Sequence, residues 1–186
     1  MRPGDVREEV WGALMRARAV GYPLPPHGHH PNFTGAARAA EQLLEHPALA
    51  GLDVLAVGPE RALAGLRKRA LAQGRVVVVP DGHREGRFWR LSGDPRGADL
   101  KLMPSLGEPV TSLEGVRGAV LACVAADLRG GRLSKGFGWG ARGLGLGVPE
   151  FTLAHALMLR EELPCEPDSR VCLVATPDGV HGASPS

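Results

Sequence analysis

The glycine-rich segment at residues 130–147 carries residue types that could bind a phosphate group, and it reads GGRLSKGFGWGARGLGLG. Glycines let backbone amides approach an anion closely, and Arg132, Lys135 and Arg142 add positive charge. The segment has neither a Walker A pattern nor a good G-x-G-x-x-G pattern, so a flexible surface loop explains its composition equally well. It nevertheless follows an apolar run and precedes a predicted helix, and helix starts commonly bind phosphate.

Lysine is scarce in this chain, which gives the lysine of the segment some weight. Only Lys68, Lys101 and Lys135 occur, and arginine supplies the remaining positive charge. Isoleucine is absent and Asn32 is the only asparagine, a skew that indicates G+C-rich coding and fits a thermophile. Where arginine is the default cation, a retained lysine weakly favours a position that needs a compact point charge.

Three histidines lie close together at His27, His29 and His30. They could bind a metal ion, but three imidazoles within four residues rarely reach one ion together. No neighbouring cysteine or carboxylate completes a ligand set. An exposed loop or a loop that faces a substrate is therefore the preferred interpretation.

Two further pairs of side chains each have two interpretations. Asp81 and Asp178 follow predicted strands and could hold magnesium, although turn or capping roles are commoner for such residues. Phe137 and Trp139 could stack on a flat ring, and packing within the loop explains them at least as well.

The bulk composition predicts one domain without a membrane span. The 186 residues are 44% hydrophobic and 23% charged, which suits a single packed core. The apolar runs are too short to cross a bilayer and the start lacks the apolar core of a signal peptide, so we expect a cytoplasmic protein. The three cysteines form no C-x-x-C pair, and a net charge of +2 makes a nucleic-acid partner unlikely on electrostatic grounds.

Apolar periodicity and turn residues predict alternating helices and strands. The helices are expected at residues 5–19, 34–46, 59–73 and 151–163. The strands are expected at residues 52–57, 75–79, 88–91, 118–126 and 171–176. This order predicts an α/β domain with a mostly parallel sheet. Ligands gather at the carboxyl ends of such strands, which places residues 58–60, 80–82, 127–147 and 177–178 along one rim.

Several short motifs complete a recognisable pattern. They are DVREEVW at residues 5–11, Pro23 and Pro26, PNFTGAA at residues 31–37, the arginine helix and apolar strand at residues 67–80, and Asp127 followed by GRLSKG and GW in the glycine-rich segment. Together they resemble the 5-formyltetrahydrofolate cyclo-ligase family, also called methenyltetrahydrofolate synthetases, over about residues 5–180. The chain is most similar to the subgroup of synthetase-domain-containing proteins.

The resemblance implies a three-layer α/β/α sandwich, formed by one domain over residues 1–186, and an ATP- and magnesium-dependent ligase of one-carbon metabolism. Such enzymes phosphorylate the formyl oxygen of 5-formyltetrahydrofolate, and a neighbouring nitrogen then expels phosphate to close the methenyl bridge. The partner would be a small-molecule folate, with no membrane and no stated oligomeric state. The expected site residues are Lys135 and Arg142 as catalytic groups, Arg132, Ser134, Gly136, Gly138 and Trp139 for the nucleotide, Asn32, Phe33 and Arg67 for the substrate, and Asp127 and Asp178 for the metal.

The chain departs from the family pattern at several positions. Ala141 and Gly143 stand where the subgroup has acidic residues, and Phe137 replaces a glutamate of the loop. The turn at residues 58–60 reads Gly-Pro-Glu where the family has Asn-Pro-Asp. Either Asp81, Asp127, Asp178 or Glu150 takes over the metal, or the protein binds nucleotide or folate without turnover. We expect Lys135 and the amides of Gly136 and Gly138 to face one concavity, with Asp127 or Asp178 nearby.

Overall fold

The computed structural model describes residues 1–182, which form helices on an eight-stranded sheet and a smaller four-stranded sheet. The α-helices are α1 (Pro3–Arg16), α2 (Ala36–Glu45), α3 (Ala64–Ala72) and the one-turn α4 (Met103–Leu106). The strands are β1 (Val54–Val57), β2 (Val76–Pro80), β3 (Phe88–Leu91), β4 (Glu108–Val110), β5 (Gly118–Val120), β6 (Ala125–Asp127), β7 (Gly131–Leu133), β8 (Glu150–Leu153), β9 (Leu159–Arg160), β10 (Ser169–Arg170), β11 (Leu173–Thr176) and β12 (Gly179–Gly182). Within residues 1–182, no helix has both the length and the apolar character needed to cross a membrane.

The large sheet has the order β12-β11-β8-β5-β1-β2-β3-β4. Its five central strands are parallel to one another, while β12 at one edge and β3 and β4 at the other pair antiparallel. The α/β class with a mostly parallel central sheet, predicted from the sequence, is therefore confirmed. The four-stranded sheet has the order β10-β7-β6-β9 and was not predicted.

The two faces of the large sheet are covered by different kinds of chain. Alternate strand residues, such as Leu55 and Val77, join the main core with the helices and the small sheet. Ala56 and Val78 face the other way, where Trp139 and Leu144 of the glycine-rich segment and the following Val148 pack against them. Part of the segment is thus a covering layer of the domain, and its position is set by burial of apolar side chains.

The strand predicted at residues 118–126 is wrong in one respect, because it is two strands in two sheets. β5 ends at Val120, and the chain then crosses to the small sheet, where β6 begins at Ala125. The four residues between them are all buried. A continuous apolar run fits either geometry, so the pattern alone did not show where the chain leaves the large sheet.

The helix predicted at residues 151–163 is also wrong. This stretch forms β8, a short 3-10 turn at Ala156–Met158 and β9. β8 lies between β5 and β11, so its backbone groups pair with two neighbouring strands and tertiary pairing overrides helical spacing. Because a strand follows the glycine-rich segment, no helix N-terminus contributes to the expected phosphate site there.

Smaller differences concern the helix starts. α1 begins at Pro3, and Asp5 is the third residue of its first turn, where its carboxylate accepts a hydrogen bond from the amide of Arg2 (3.2 Å). The third predicted helix begins as a 3-10 turn at Arg61–Leu63 and continues as α3. Gly74 follows the end of this helix in the left-handed conformation (φ 83°), which glycine adopts readily.

Asp127 fastens the turn between β6 and β7 to a distant part of the chain. Its buried carboxylate accepts hydrogen bonds from the amides of Arg129 (2.9 Å), Gly131 (2.8 Å) and Leu163 (2.9 Å). A side chain on Gly131 would meet this carboxylate, since a Cβ there would lie 2.7 Å from Oδ2. Asp127 therefore has a structural role, because its carboxylate joins the β6–β7 turn to the segment that follows β9.

We expect Asp127→Asn to lower the free energy of unfolding by about 3 kcal/mol, because an amide nitrogen cannot accept these backbone hydrogen bonds. Chemical denaturation followed by circular dichroism measures the change. Asp178→Asn is the matched control, because Asp178 is exposed and its replacement should change stability by less than about 0.5 kcal/mol. Equal stability of the two variants would contradict the structural role.

Candidate functional site

A cavity of about 290 Å³ lies where β1 ends. It is lined by Tyr22, Pro23, His29, His30, Pro59, Glu60, Arg61 and Lys135. These residues come from three separate parts of the chain: the proline- and histidine-rich segment after α1, the turn after β1, and the glycine-rich segment. The cavity therefore combines two cations, one carboxylate and two imidazoles at the rim where the sequence predicted a ligand.

A buried arginine, Arg67, holds the turn that carries Glu60. The guanidinium of Arg67 donates hydrogen bonds to the carbonyls of Gly58 (2.8 Å), Glu60 (2.9 Å) and Ala98 (3.2 Å). Arg67 is 2% exposed, and burial lowers its pKa to about 10. Arg67 was predicted to bind substrate, and the structure places it under the cavity as a support for the turn.

Gly58 is needed because the Glu60 side chain lies over it. A Cβ at Gly58 would be 2.0 Å from Oε1 of Glu60. Folding back over Gly58 leaves the Glu60 side chain 19% exposed, and this burial raises its pKa despite the nearby charges of Arg67 and Lys135. The site thus holds a carboxyl group that is easier to protonate than an ordinary glutamate.

His30 connects the glycine-rich segment with Glu60. Its Nε2 accepts a hydrogen bond from the backbone amide of Lys135 (3.2 Å), and its Nδ1 lies 3.7 Å from Oε2 of Glu60. Burial, together with the charges of Arg132, Lys135, Arg7 and His29, lowers the pKa of His30 to about 3. The imidazole is therefore neutral at physiological pH, and its contact with Glu60 is not an ion pair.

A charged network fixes the backbone on either side of Lys135. One carboxylate oxygen of Asp168 accepts hydrogen bonds from the amide (2.9 Å) and hydroxyl (2.8 Å) of Ser134 and from Arg7 of α1 (3.2 Å). Arg7 also donates to the carbonyl of Ser134 (2.7 Å). The hydroxyl of Ser134 in turn accepts from the amide of Gly136 (2.9 Å). Lys135 consequently extends from a rigid turn, although the amide of Gly136 is already bonded within the protein.

The rest of the glycine-rich segment is anchored to the protein by side chains. Arg132 is 1% exposed and donates to the carbonyls of Ala122 (2.9 Å) and Gly140 (3.0 Å) and to the hydroxyl of Ser169 (2.9 Å). Trp139 packs edge-on against Phe88, with 6.3 Å between the ring centroids. Arg132 and Trp139, both predicted to bind nucleotide, thus shape the loop in this structure.

The outer part of the segment remains accessible. Phe137 is 59% exposed, and the ammonium of Lys135 lies 4.5 Å from the centroid of its ring. Gly138 follows in a left-handed conformation (φ 90°), and a Cβ there would approach Cε of Lys135 at 3.5 Å. Arg142 is exposed and is not among the residues that line the cavity in the described chain. Lys135 is therefore the cation that the segment contributes to the cavity.

The remaining predicted site residues lie outside the cavity. The side-chain amide of Asn32 donates to the carbonyl of Tyr22 (3.3 Å) and so supports the cavity wall, and Phe33 is buried beside His155. Asp178 is exposed in the turn between β11 and β12, and Asp127 serves the β6–β7 turn. The carboxylate that accompanies Lys135 in the cavity is that of Glu60.

The side chains that could bind a metal ion do not cluster in the described part of the chain. Within residues 1–182, no group of three or more histidine, cysteine, aspartate or glutamate residues is placed to hold a metal ion, and this includes the histidines at residues 27–30. Glu150 lies beside the loop, where its carboxylate accepts from the amide of Leu144 (2.9 Å) and a Cβ at Gly143 would be 3.0 Å away. Asp81 is paired with Arg87 in the β2–β3 turn.

The sequence did not indicate that Arg7, Asp168 and His30 have roles in the site. Arg7 and Asp168 are 161 residues apart, so no local spacing could pair them. The buried His30 follows two exposed histidines, and nothing in the local sequence distinguishes it from them. Glu60 was placed on the rim but was not assigned a role.

Comparison with curated proteins finds relatives whose names agree with the resemblance inferred from the sequence motifs. The chain is 26% identical to the human methenyltetrahydrofolate synthase domain-containing protein in an alignment over 95% of this chain and 52% of the human protein. The zebrafish (Danio rerio) protein of that name is 28% identical over 73% of this chain and 38% of its own length. The chain is thus similar to methenyltetrahydrofolate synthase domain-containing proteins. It spans about half the length of these curated relatives, and no family model matches it.

One solved structure has the same fold as this chain. The structure of the Aquifex aeolicus 5,10-methenyltetrahydrofolate synthetase superposes with a TM-score of 0.65 and covers 100% of this chain and 95% of its own. The two sequences are 18% identical, so the likeness concerns the fold. The resemblance inferred from the sequence motifs is confirmed.

We expect Gly58→Ala to displace the Glu60 carboxylate into solvent and to lower the Glu60 pKa, because the new methyl group occupies the position of Oε1. The displaced atom is the end of a flexible side chain, so stability should fall by less than about 1 kcal/mol. Titration of the Glu60 side-chain carbon by NMR measures the shift. Gly82→Ala is the control, because Gly82 follows β2 and a Cβ there meets open space; an unchanged Glu60 titration in Gly58→Ala would refute the packing argument.

His30 should make folding sensitive to acid. The contribution of the neutral His30 to the free energy of unfolding is complete well above pH 6.5. Below pH 6.5 the imidazole of the unfolded chain takes up a proton, whereas that of the folded chain does so only near pH 3. Stability is therefore lost as the pH falls. Between pH 6.5 and 5 this amounts to about 2 kcal/mol. We expect His30→Gln to flatten the pH dependence of the free energy of unfolding by that amount, while His29→Gln, at an exposed neighbour, keeps the wild-type slope. Parallel curves for all three proteins would show that His30 is not held neutral.

Proposed function

We propose that this chain is an ATP- and magnesium-dependent cyclo-ligase that converts 5-formyltetrahydrofolate to 5,10-methenyltetrahydrofolate. The observation that carries the proposal is the meeting of Lys135 with Glu60 in one cavity at the carboxyl end of the parallel strands. The homology to methenyltetrahydrofolate synthase domain-containing proteins supports the substrate class. A cytoplasmic location and a folate as the small-molecule partner are parts of the same proposal.

Lys135 is suited to bind the transferred phosphoryl group. Phosphoryl transfer depends mainly on placement and on neutralisation of negative charge, and a fixed ammonium supplies both. Ser134, Asp168 and Arg7 hold the backbone that carries Lys135, and Arg61 adds a second positive charge to the cavity wall. At about 290 Å³ the cavity is at the lower end of ligand sites, so we assign it to the reacting groups and not to whole substrates.

Glu60 is suited to accept a proton. In the proposed reaction the formyl oxygen attacks the γ-phosphorus of ATP and ADP leaves. The neighbouring nitrogen then attacks the formyl carbon, phosphate leaves with the electrons of the carbon–oxygen bond, and the nitrogen loses its proton. A carboxylate whose pKa is raised by burial is a better base than an ordinary glutamate. We therefore assign this proton to Glu60.

Magnesium enters the proposal with ATP. The described residues provide no cage of side chains for an ion of their own. Magnesium usually keeps several waters and binds substrate phosphates with few protein carboxylates, so the triphosphate can bring it to the site. The chain's own residues act on the phosphate charge and on the proton, and Ala141 in place of the family acid does not remove either function.

We expect the protein, mixed with 5-formyltetrahydrofolate, ATP and magnesium, to form the methenyl product, which absorbs in the near ultraviolet. Lys135→Ala should lower kcat by about 10²–10³-fold, because it removes a charge that stabilises the transferred phosphoryl group. Lys101→Ala replaces an exposed lysine that does not line the cavity, and this variant should retain wild-type rates. Glu60→Gln should lower kcat while leaving ATP binding intact.

The same experiment separates the proposal from its alternative. Binding of ATP with magnesium, measured by calorimetry, in the absence of product would favour a nucleotide- or folate-binding protein without turnover, which the missing acid at Ala141 suggested from the sequence. Failure to bind either ligand would rule out both functions and leave only the fold.

A further inference from the structure

His30 is the one cavity residue whose hydrogen bonding stands out within residues 1–182. Its side chain is 3% exposed, and its Nδ1 is buried without a hydrogen-bond partner in that part of the chain. An unpaired buried donor is costly, so such groups usually have a task that the resting structure does not satisfy. Oε2 of Glu60 lies 3.7 Å from Nδ1, just beyond hydrogen-bond distance.

The tautomer of His30 follows from the other nitrogen. Because Nε2 accepts the amide proton of Lys135, it must carry a lone pair and no proton. A neutral imidazole then has its proton on Nδ1, which faces the Glu60 carboxylate. The ring thus receives a hydrogen bond from the segment that carries Lys135 and offers one to the carboxylate across the cavity.

We propose that His30 is a positioning residue that, as its Nδ1–H tautomer, links the backbone of Lys135 to the carboxylate of Glu60. A shift of less than 1 Å would bring Nδ1 and Oε2 into hydrogen-bond contact, which favours the ionised carboxylate. This contact would therefore favour the form of Glu60 that can accept a proton. The catalytic consequence rests on the proposed function, whereas the link between the three residues does not.

Several charged side chains besides His30 influence the pKa of Glu60. Burial raises its pKa, and the charges of Arg67 from α3, Lys135 from the loop and Arg132 from β7 oppose this rise. Arg61 also lines the cavity, where its guanidinium lies over the ring of Tyr22. Replacement of His30 leaves all four cations in place, so a change in the Glu60 titration would report the imidazole itself.

The test is NMR of the full chain, which requires no turnover. Long-range nitrogen–proton correlation in histidine-labelled protein should show His30 protonated at Nδ1 and not at Nε2. The Glu60 side-chain carbon should titrate about one pH unit higher in His30→Phe, which keeps a ring but removes the donor. His30→Gln, which can both accept and donate, should restore part of the shift, and His29→Gln should cause none.

Each outcome decides the inference. An Nε2–H tautomer in the wild-type protein would overturn it even if no variant folds. An unchanged Glu60 titration in His30→Phe or a fully shifted one in His30→Gln would also overturn it. If the NMR results are as expected and the protein lacks turnover, the positioning role stands and the cyclo-ligase proposal fails. If turnover occurs, the acid limb of the kcat/KM profile should move upward with the Glu60 titration in His30→Phe.

Discussion

Two buried guanidinium groups hold the backbone on which the site depends. Arg67 and Arg132 are each almost completely buried, and each satisfies its donors mainly with backbone carbonyls. Taking a charge out of water is costly unless it is fully hydrogen-bonded, so each arginine constrains the segments that supply its acceptors. Arg67 fixes the Gly58–Glu60 turn, and Arg132 fixes the start and middle of the glycine-rich segment. The cavity between these segments has its shape because neither can move without exposing a buried cation.

The site joins parts of the chain that belong to different layers. Glu60 extends from the large sheet, Lys135 follows β7 of the small sheet, and His30 belongs to the segment between α1 and α2. The Ser134–Asp168–Arg7 network ties the small sheet to α1, and the imidazole of His30 accepts a hydrogen bond from the amide of Lys135. This arrangement gives a carboxylate and a cation fixed positions without a bound ligand, which is the preorganisation that transition-state stabilisation requires.

The glycine-rich segment has two roles that its composition does not separate. Its second half covers the large sheet through Trp139 and Leu144, while the turn around Lys135 forms one wall of the cavity. Glycines serve both roles, since several of them adopt left-handed conformations that let the chain reverse direction over a short distance. Glu150 of the neighbouring strand β8 lies beside Gly143 and Leu144 and supplies a carboxylate to this stretch.

The sequence by itself determined the α/β class and the central apolar strands, and its motifs indicated the resemblance to methenyltetrahydrofolate synthetases. These features depend on local periodicity, on turn residues and on short motifs, all of which are written in adjacent residues. It could not determine that residues 118–126 divide between two sheets or that residues 150–153 form a strand, because apolar runs fit several geometries. Only the tertiary structure brought Glu60 and His30 to Lys135 and revealed Arg7 and Asp168, since long-range packing and the satisfaction of buried charges decide which distant residues meet.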